Sequence, residues 1–142
     1  MTSAYRPDST TSSVPSVERD LTGGSEMIPA SRDVVREFVA RLREAGVALA
    51  GTFEDSARLV VSELVTNVVR HAPGPSRLRM TLRGDSAEIA VSDTGEGWPT
   101  FLPRDPLRIG RHGLEIVTRL CGEVITKPGE IGKTVSVRLP LR

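Results

Sequence analysis

The chain has 142 residues, a length that suits one domain with its own hydrophobic core better than two. Its 19 basic and 18 acidic residues leave a formal net charge of +1, and aromatic residues make up only 4%. That composition offers neither an electrostatic footprint for nucleic acid or an anionic membrane nor a base-stacking platform. The one cysteine, Cys121, excludes an intrachain disulfide and, in its apolar helical setting beside Leu120, reads as a buried structural thiol. No run reaches the roughly 18 apolar residues of a membrane span, and the N-terminus lacks the apolar core of a signal peptide, so a cytoplasmic protein is the expectation.

Residues 1–28 are rich in Ser, Thr, Pro and Gly, with few apolar side chains to offset the entropy of ordering them, and read as a flexible tail with a short strand around Val14 to Leu21. The folded domain is expected over 29–142. From Ser31 to Ala45 the apolar residues Val34, Val35, Phe38, Val39 and Leu42 fall at helical spacing, and Gly46 is a natural stop. A second helix is expected from Thr52, where Thr52 and Asp55 resemble a capping box, to Ala72, ended by Pro73-Gly74. Leu78, Met80 and Leu82, then Ala87, Ile89 and Val91, alternate with polar residues about Gly84-Asp85, the pattern of a hairpin. A glycine-rich loop and an irregular stretch follow to Arg111. A third helix is expected over His112 to Cys121. Strands near Val124 to Lys127 and Lys133 to Leu139 form a second hairpin around Pro128-Gly129-Glu130-Ile131-Gly132. Consecutive hairpins without strict strand–helix alternation predict an α+β fold: a two-layer sandwich with a mixed, mostly antiparallel sheet and helices on one face.

Three segments carry chemistry. On the second helix, residues four apart lie only about 40° apart around the axis, so Glu63 and Asn67 share an edge beside the apolar arc of Ala57, Val61, Leu64, Val65, Val68 and Ala72. Asparagine offers a neutral oxygen to Mg²⁺, and glutamate accepts a proton from an attacking hydroxyl or water. Taken alone, the pair reads equally as two solvated side chains on a helix rim. Ser92-Asp93-Thr94-Gly95-Glu96-Gly97 follows a strand. Its glycines let a ligand approach the main chain, and Asp93 is placed to accept a hydrogen bond from an amino group such as that of adenine; an ordinary Asp-Gly turn is the other reading. Gly110-Arg111-His112-Gly113-Leu114 opens the third helix, where backbone N–H groups favour phosphate and Arg111 and Arg108 add charge. Gly132-Lys133-Thr134 is no Walker loop, because it opens a strand instead of a helix.

In this order and spacing the segments resemble the GHKL, or histidine-kinase-like, ATPase superfamily. Glu63 through Ala72 resembles its N box, Asp93-x-Gly95-x-Gly97 its first glycine box, Gly113-Leu114 with Ile116-Val117 its second, and Gly132-Lys133-Thr134-Val135 its closing segment. The resemblance implies a Bergerat-type ATP-binding fold. It makes Glu63 the general base, Asn67 the Mg²⁺ ligand and Asp93 the adenine reader. Gly95, Gly97, Arg111, Gly113 and Leu114 then line the nucleotide, and Thr134 supports Asp93. The small size is similar to that of the stand-alone anti-sigma-factor serine kinases of bacterial partner switching. That likeness implies a sigma factor and an anti-anti-sigma protein as partners, a homodimer, and no direct contact with nucleic acid or membrane. His71 falls inside the N box, which argues against its being a phosphoacceptor. Two features depart from the pattern: Arg111-His112 separates Gly110 from Gly113, and the 98–109 segment holds Pro99, Pro103 and Pro106. A serine kinase, a nucleotide-dependent binding module with little or no turnover, and a domain that has lost its nucleotide all stay open at this point.

Overall fold

The structure is a computed structural model that describes residues 14–72, 74–95, 109–129 and 131–142, with the backbone alone for 109–113. Its elements in chain order are β1 (Ser16–Leu21), a short 3-10 turn (Gly24–Glu26), α1 (Met27–Glu44), α2 (Phe53–His71), β2 (Ser76–Arg83), β3 (Ser86–Asp93), α3 (Ile109–Cys121), β4 (Ile125–Pro128) and β5 (Lys133–Pro140).

The five strands form one sheet in the order β1-β2-β3-β5-β4. All four pairings are antiparallel, so the sheet is more regular than the mixed one expected. Alternation sends Leu78, Met80, Ala87, Ile89, Val91, Val135, Val137 and Leu139 into the core beneath the helices, while Arg77, Arg79, Glu88 and Arg138 occupy the other face. In the helical layer α2 packs against both α1 and α3. Its residues Ala57, Val60, Val61, Leu64 and Val65 are fully buried, as are Val34, Val35, Phe38, Val39 and Leu42 of α1. The expected two-layer α+β sandwich is therefore the fold.

The ends of the elements follow local chemistry, with two departures. Gly46 stops α1 in the left-handed conformation (φ 78°). Val47 N–H donates to the Leu42 carbonyl and Gly46 N–H to that of Arg43, each at 3.0 Å, a complete Schellman cap. The helix starts at Met27, before the expected Ser31, because Pro29 sits in the first turn, where its missing N–H breaks no intrahelical bond. No capping box forms at α2. Thr52 already has near-helical backbone angles and its side chain makes no cap bond, while Asp55 pairs with Arg58 one turn on. The strand expected around Val14 to Leu21 forms as β1, within the segment otherwise read as a tail. Its backbone pairs with β2 from Ser16↔Thr81 to Leu21↔Ser76, and Val17 and Leu21 are buried. Arg41 donates to the Ser16 carbonyl at 3.0 Å, and Arg19 pairs with Glu37 of α1. The order of this segment comes from the free edge of β2, which composition cannot register. Among the described residues no helix is long and apolar enough to cross a membrane.

Cys121 ends α3 and is half-buried rather than fully buried. Desolvation pushes its thiol up from 9.0 to about 11. Below pH 9 folded and unfolded chains both keep the proton. Between pH 9.0 and about 11 only the unfolded chain loses it, so folded stability falls as pH rises through that window. At pH 8 the thiolate is therefore scarcer in the folded chain, and alkylation of Cys121 by iodoacetamide should run on the order of a hundredfold slower than in urea-unfolded protein. Equal rates in the two states would show the thiol to be solvated.

Candidate functional site

Helix α2 sets out the first part of the site. Glu63 and Asn67 lie one turn apart, Glu63 partly exposed and Asn67 buried at 8% exposure. The helix is amphipathic, and Asn67 stands at the margin of its apolar arc, where α2 faces the sheet. Among the described residues its amide nitrogen has no hydrogen-bond partner. A buried, unpaired donor costs on the order of 1–3 kcal/mol, so this atom is held ready for an acceptor that the described residues do not supply. Asn67 borders a narrow cavity of about 10 Å³ with Leu64, Val68, His71, Val91 and Lys133, room for about one water.

The second part lies where β3 ends. Asp93 is 3% exposed. Its Oδ1 accepts from the Gly95 N–H at 3.0 Å, and its Oδ2 accepts from Lys133 Nζ at 2.6 Å. Both members of the ion pair are buried. Taking two charges out of water costs several kcal/mol each, and only close geometry and further hydrogen bonds offset it. Here the Gly95 N–H and the 2.6 Å contact provide that geometry.

Two glycines make the approach of the elements possible. A Cβ on Gly95 would lie 2.6 Å from the Ala72 Cβ at the end of α2, so the loop after β3 lies directly on the helix terminus. A Cβ on Gly132 would lie 2.2 Å from the Asp93 carbonyl oxygen and 2.6 Å from its Oδ1, and Gly132 has φ 72°. Only glycine fits there, and the close approach delivers Lys133 to the carboxylate. A cavity of about 450 Å³ opens beside Asp93, bordered by Ser76, Arg77, Thr94 and Ile131 among others. Ser76 pairs with Asp93 in the β2–β3 ladder, and its buried hydroxyl has no partner among the described residues.

The expected residues are thus partly brought together. Asn67 and Asp93 converge through Lys133, which borders the cavity of the first and bonds the second. Thr134 does not support Asp93. It lies opposite Ser92, and its hydroxyl bonds Ser92 Oγ at 2.8 Å on the other face of the sheet. Lys133 takes the place expected of Thr134, because successive strand residues point to opposite faces. The signal was present in the alternation: Lys133 has the parity of Val135, Val137 and Leu139, and Asp93 that of Ile89 and Val91. Arg111, Gly113 and Leu114 fall in the first part of α3, which begins at Ile109, three residues before the expected His112. Gly97, Arg108 and the prolines Pro99, Pro103 and Pro106 lie outside the described residues.

These groups suit a polar ligand with acceptors near Asn67 and donors near Asp93, a chemistry that a purine nucleotide offers. Comparison with known proteins agrees. The model of the histidine kinase-like ATPase domain matches residues 28–139. The histidine kinase domain from the Erythrobacter litoralis EL346 blue-light activated histidine kinase superposes with a TM-score of 0.54 at 19% identity, over 78% of this chain and 60% of that one. The Erythrobacter litoralis EL346 blue-light activated histidine kinase gives 0.56 at 21% identity, over 80% and 45%. The Acinetobacter baumannii histidine kinase AdeS gives 0.51 at 12%, over 89% and 68%. At such identities the likeness is one of fold, and the chain spans less than two thirds of the two Erythrobacter litoralis chains. No curated protein matches it.

Replacing Lys133 by Met should leave the Asp93 carboxylate buried without its cation and lower the unfolding free energy by about 3 kcal/mol, read as a shift in the urea midpoint. Adding Asp93→Asn to Lys133→Met should recover part of that loss. A double variant no more stable than Lys133→Met would mean the pair is not coupled in this way.

Proposed function

The chain belongs to the histidine kinase-like ATPase family, and from that membership we propose that it is an anti-sigma factor with serine kinase activity toward an anti-anti-sigma partner. The family domain binds ATP. The observation that carries the finer reading is the N-box helix. Asn67 is buried, its amide unpaired among the described residues, on a cavity bordered by Lys133, which bonds Asp93, and Glu63, one turn earlier on the same helix, is partly exposed.

The proposed roles follow from these positions. Bound Mg-ATP supplies the transferable phosphoryl group and the charge neutralisation that phosphoryl transfer needs. Asp93 accepts a hydrogen bond from the base. Asn67 holds the metal through its amide oxygen and donates from its nitrogen to an oxygen of the nucleotide. A magnesium ion is typically bound through few protein oxygens plus phosphates and water. Glu63 accepts the proton of the partner's serine hydroxyl as its oxygen bonds the γ-phosphorus and the bond to the β-phosphate bridging oxygen breaks, leaving ADP and phosphoserine. The sigma factor and the anti-anti-sigma protein are the proposed partners, and the active unit is proposed to be a homodimer in the cytoplasm.

A second reading is a nucleotide-dependent binding module with little or no turnover. It is favoured by α3, which begins at Ile109 and so takes both Gly110 and Gly113 into the helix instead of leaving them in a loop before it. The two readings part on one measurement. Under the first, a serine-bearing anti-anti-sigma protein gains phosphate from labelled ATP, and Glu63→Ala lowers the rate by roughly 10²- to 10⁴-fold, the usual contribution of a general base, with ATP affinity unchanged. Transfer by Glu63→Ala at the wild-type rate would sink the base assignment. ATP binding and partner capture without any labelled product would favour the second reading.

A further inference from the structure

We propose that Lys133 is a specificity-determining residue of the nucleotide site, donating a hydrogen bond to N1 of adenine while Asp93 accepts one from the N6 amino group. The inference rests on the ATP reading above and assigns the base edge to a pair of side chains.

Lys133 carries three N–H donors and no acceptor. One donor is on Asp93 Oδ2 at 2.6 Å, and the residue is only 5% exposed. Around it the cavity wall is mostly apolar, with Leu64, Val68, Val91 and Val135, and Asn67 is its amide neighbour. A buried ammonium with donors to spare in such a setting gains from an acceptor. Asp93 has about four acceptor positions on its two oxygens, of which, among the described residues, Gly95 N–H and Lys133 Nζ take two. The site therefore presents an acceptor and a donor side by side, 2.6 Å apart.

The Watson–Crick edge of adenine has the complementary order, an N6–H donor next to the N1 acceptor. Guanine reverses it. With its O6 toward Lys133 and its N1–H toward Asp93, its N2 amino group would fall beyond Asp93 on the Oδ1 side. That side is closed: Oδ1 is held by the Gly95 N–H, and Gly132 stands so near that even a Cβ would lie 2.6 Å from Oδ1. The pair thus favours adenine through the space beside it, since guanine meets the same donor and acceptor only by placing its N2 amino group against Oδ1.

The test is calorimetric titration of the full chain, with Mg²⁺, against ATP, 1-deaza-ATP, 7-deaza-ATP and GTP. 1-Deaza-ATP lacks only the N1 acceptor, and 7-deaza-ATP lacks an acceptor on another edge of the ring. The wild-type chain should bind 1-deaza-ATP roughly tenfold or more weakly than ATP, as for a lost hydrogen bond to a charged group, with 7-deaza-ATP unaffected and GTP weakened. In Lys133→Met the ratio between ATP and 1-deaza-ATP should fall to about one. Equal wild-type affinity for ATP and 1-deaza-ATP would overturn the proposal and leave Lys133 as the counter-ion of Asp93 alone; this arm needs no variant to fold. Tighter ATP binding by Lys133→Met than by wild type would also overturn it, since Lys133 would then compete with the base. A wild-type chain that binds none of the four would defeat the nucleotide reading itself, a result distinct from binding without discrimination at N1.

Discussion

The buried pair of Asp93 and Lys133 is the constraint on which the site depends. A carboxylate at the end of a central strand, 3% exposed, is costly to bury without a partner, and so is an ammonium 5% exposed. Each makes the other tolerable at 2.6 Å, and the Gly95 N–H adds a second hydrogen bond to the carboxylate. The two residues stand 40 positions apart in the chain and come together because β3 and β5 are neighbours in the sheet. The crossover through α3 and β4 that brings β5 back beside β3 is therefore what assembles the polar end of the sheet, and the apolar rows of Ile89, Val91, Val135 and Val137 hold the two strands in that register.

Close backbone approach does the rest. The loop after β3 lies on the end of α2 because Gly95 has no side chain to strike Ala72, and the β4–β5 hairpin lies on Asp93 because Gly132 has none to strike its carbonyl. Three segments distant in sequence thus meet at one end of the sheet: the C-terminal half of α2, the loop after Asp93, and the start of β5. The unpaired Asn67 amide and the Asp93–Lys133 pair are polar features in an otherwise apolar seam between helix and sheet. Such an arrangement suits recognition of a base and its phosphates by a few placed groups against an apolar wall.

Much of this was legible beforehand. The helical spacing of Val34 to Leu42, the alternation on either side of Gly84-Asp85 and the spacing of Glu63, Asn67 and Asp93-x-Gly95 led to the α+β sandwich and to the family, which the match over 28–139 shows. Where the expectation failed, it failed on contacts between distant parts. β1 was expected as a short strand, but its place at the edge of β2 was not legible, because that pairing joins segments far apart in the chain. The capping box at Thr52 was a local pattern overridden by the Arg58–Asp55 pair and by backbone angles already near-helical. Thr134 was preferred over Lys133 as the support of Asp93 although strand parity pointed the other way.

By itself the amino-acid sequence determined the elements, the apolar faces that glue them and the chemical types available to the site, since periodicity and turn residues act within a few positions of themselves. Tertiary structure alone decided which of those groups meet. It put Lys133 and not Thr134 on Asp93, left the Asn67 amide without a partner, and drew β1 into the sheet, because strand order, register and the burial of charge are set by neighbours far away along the chain.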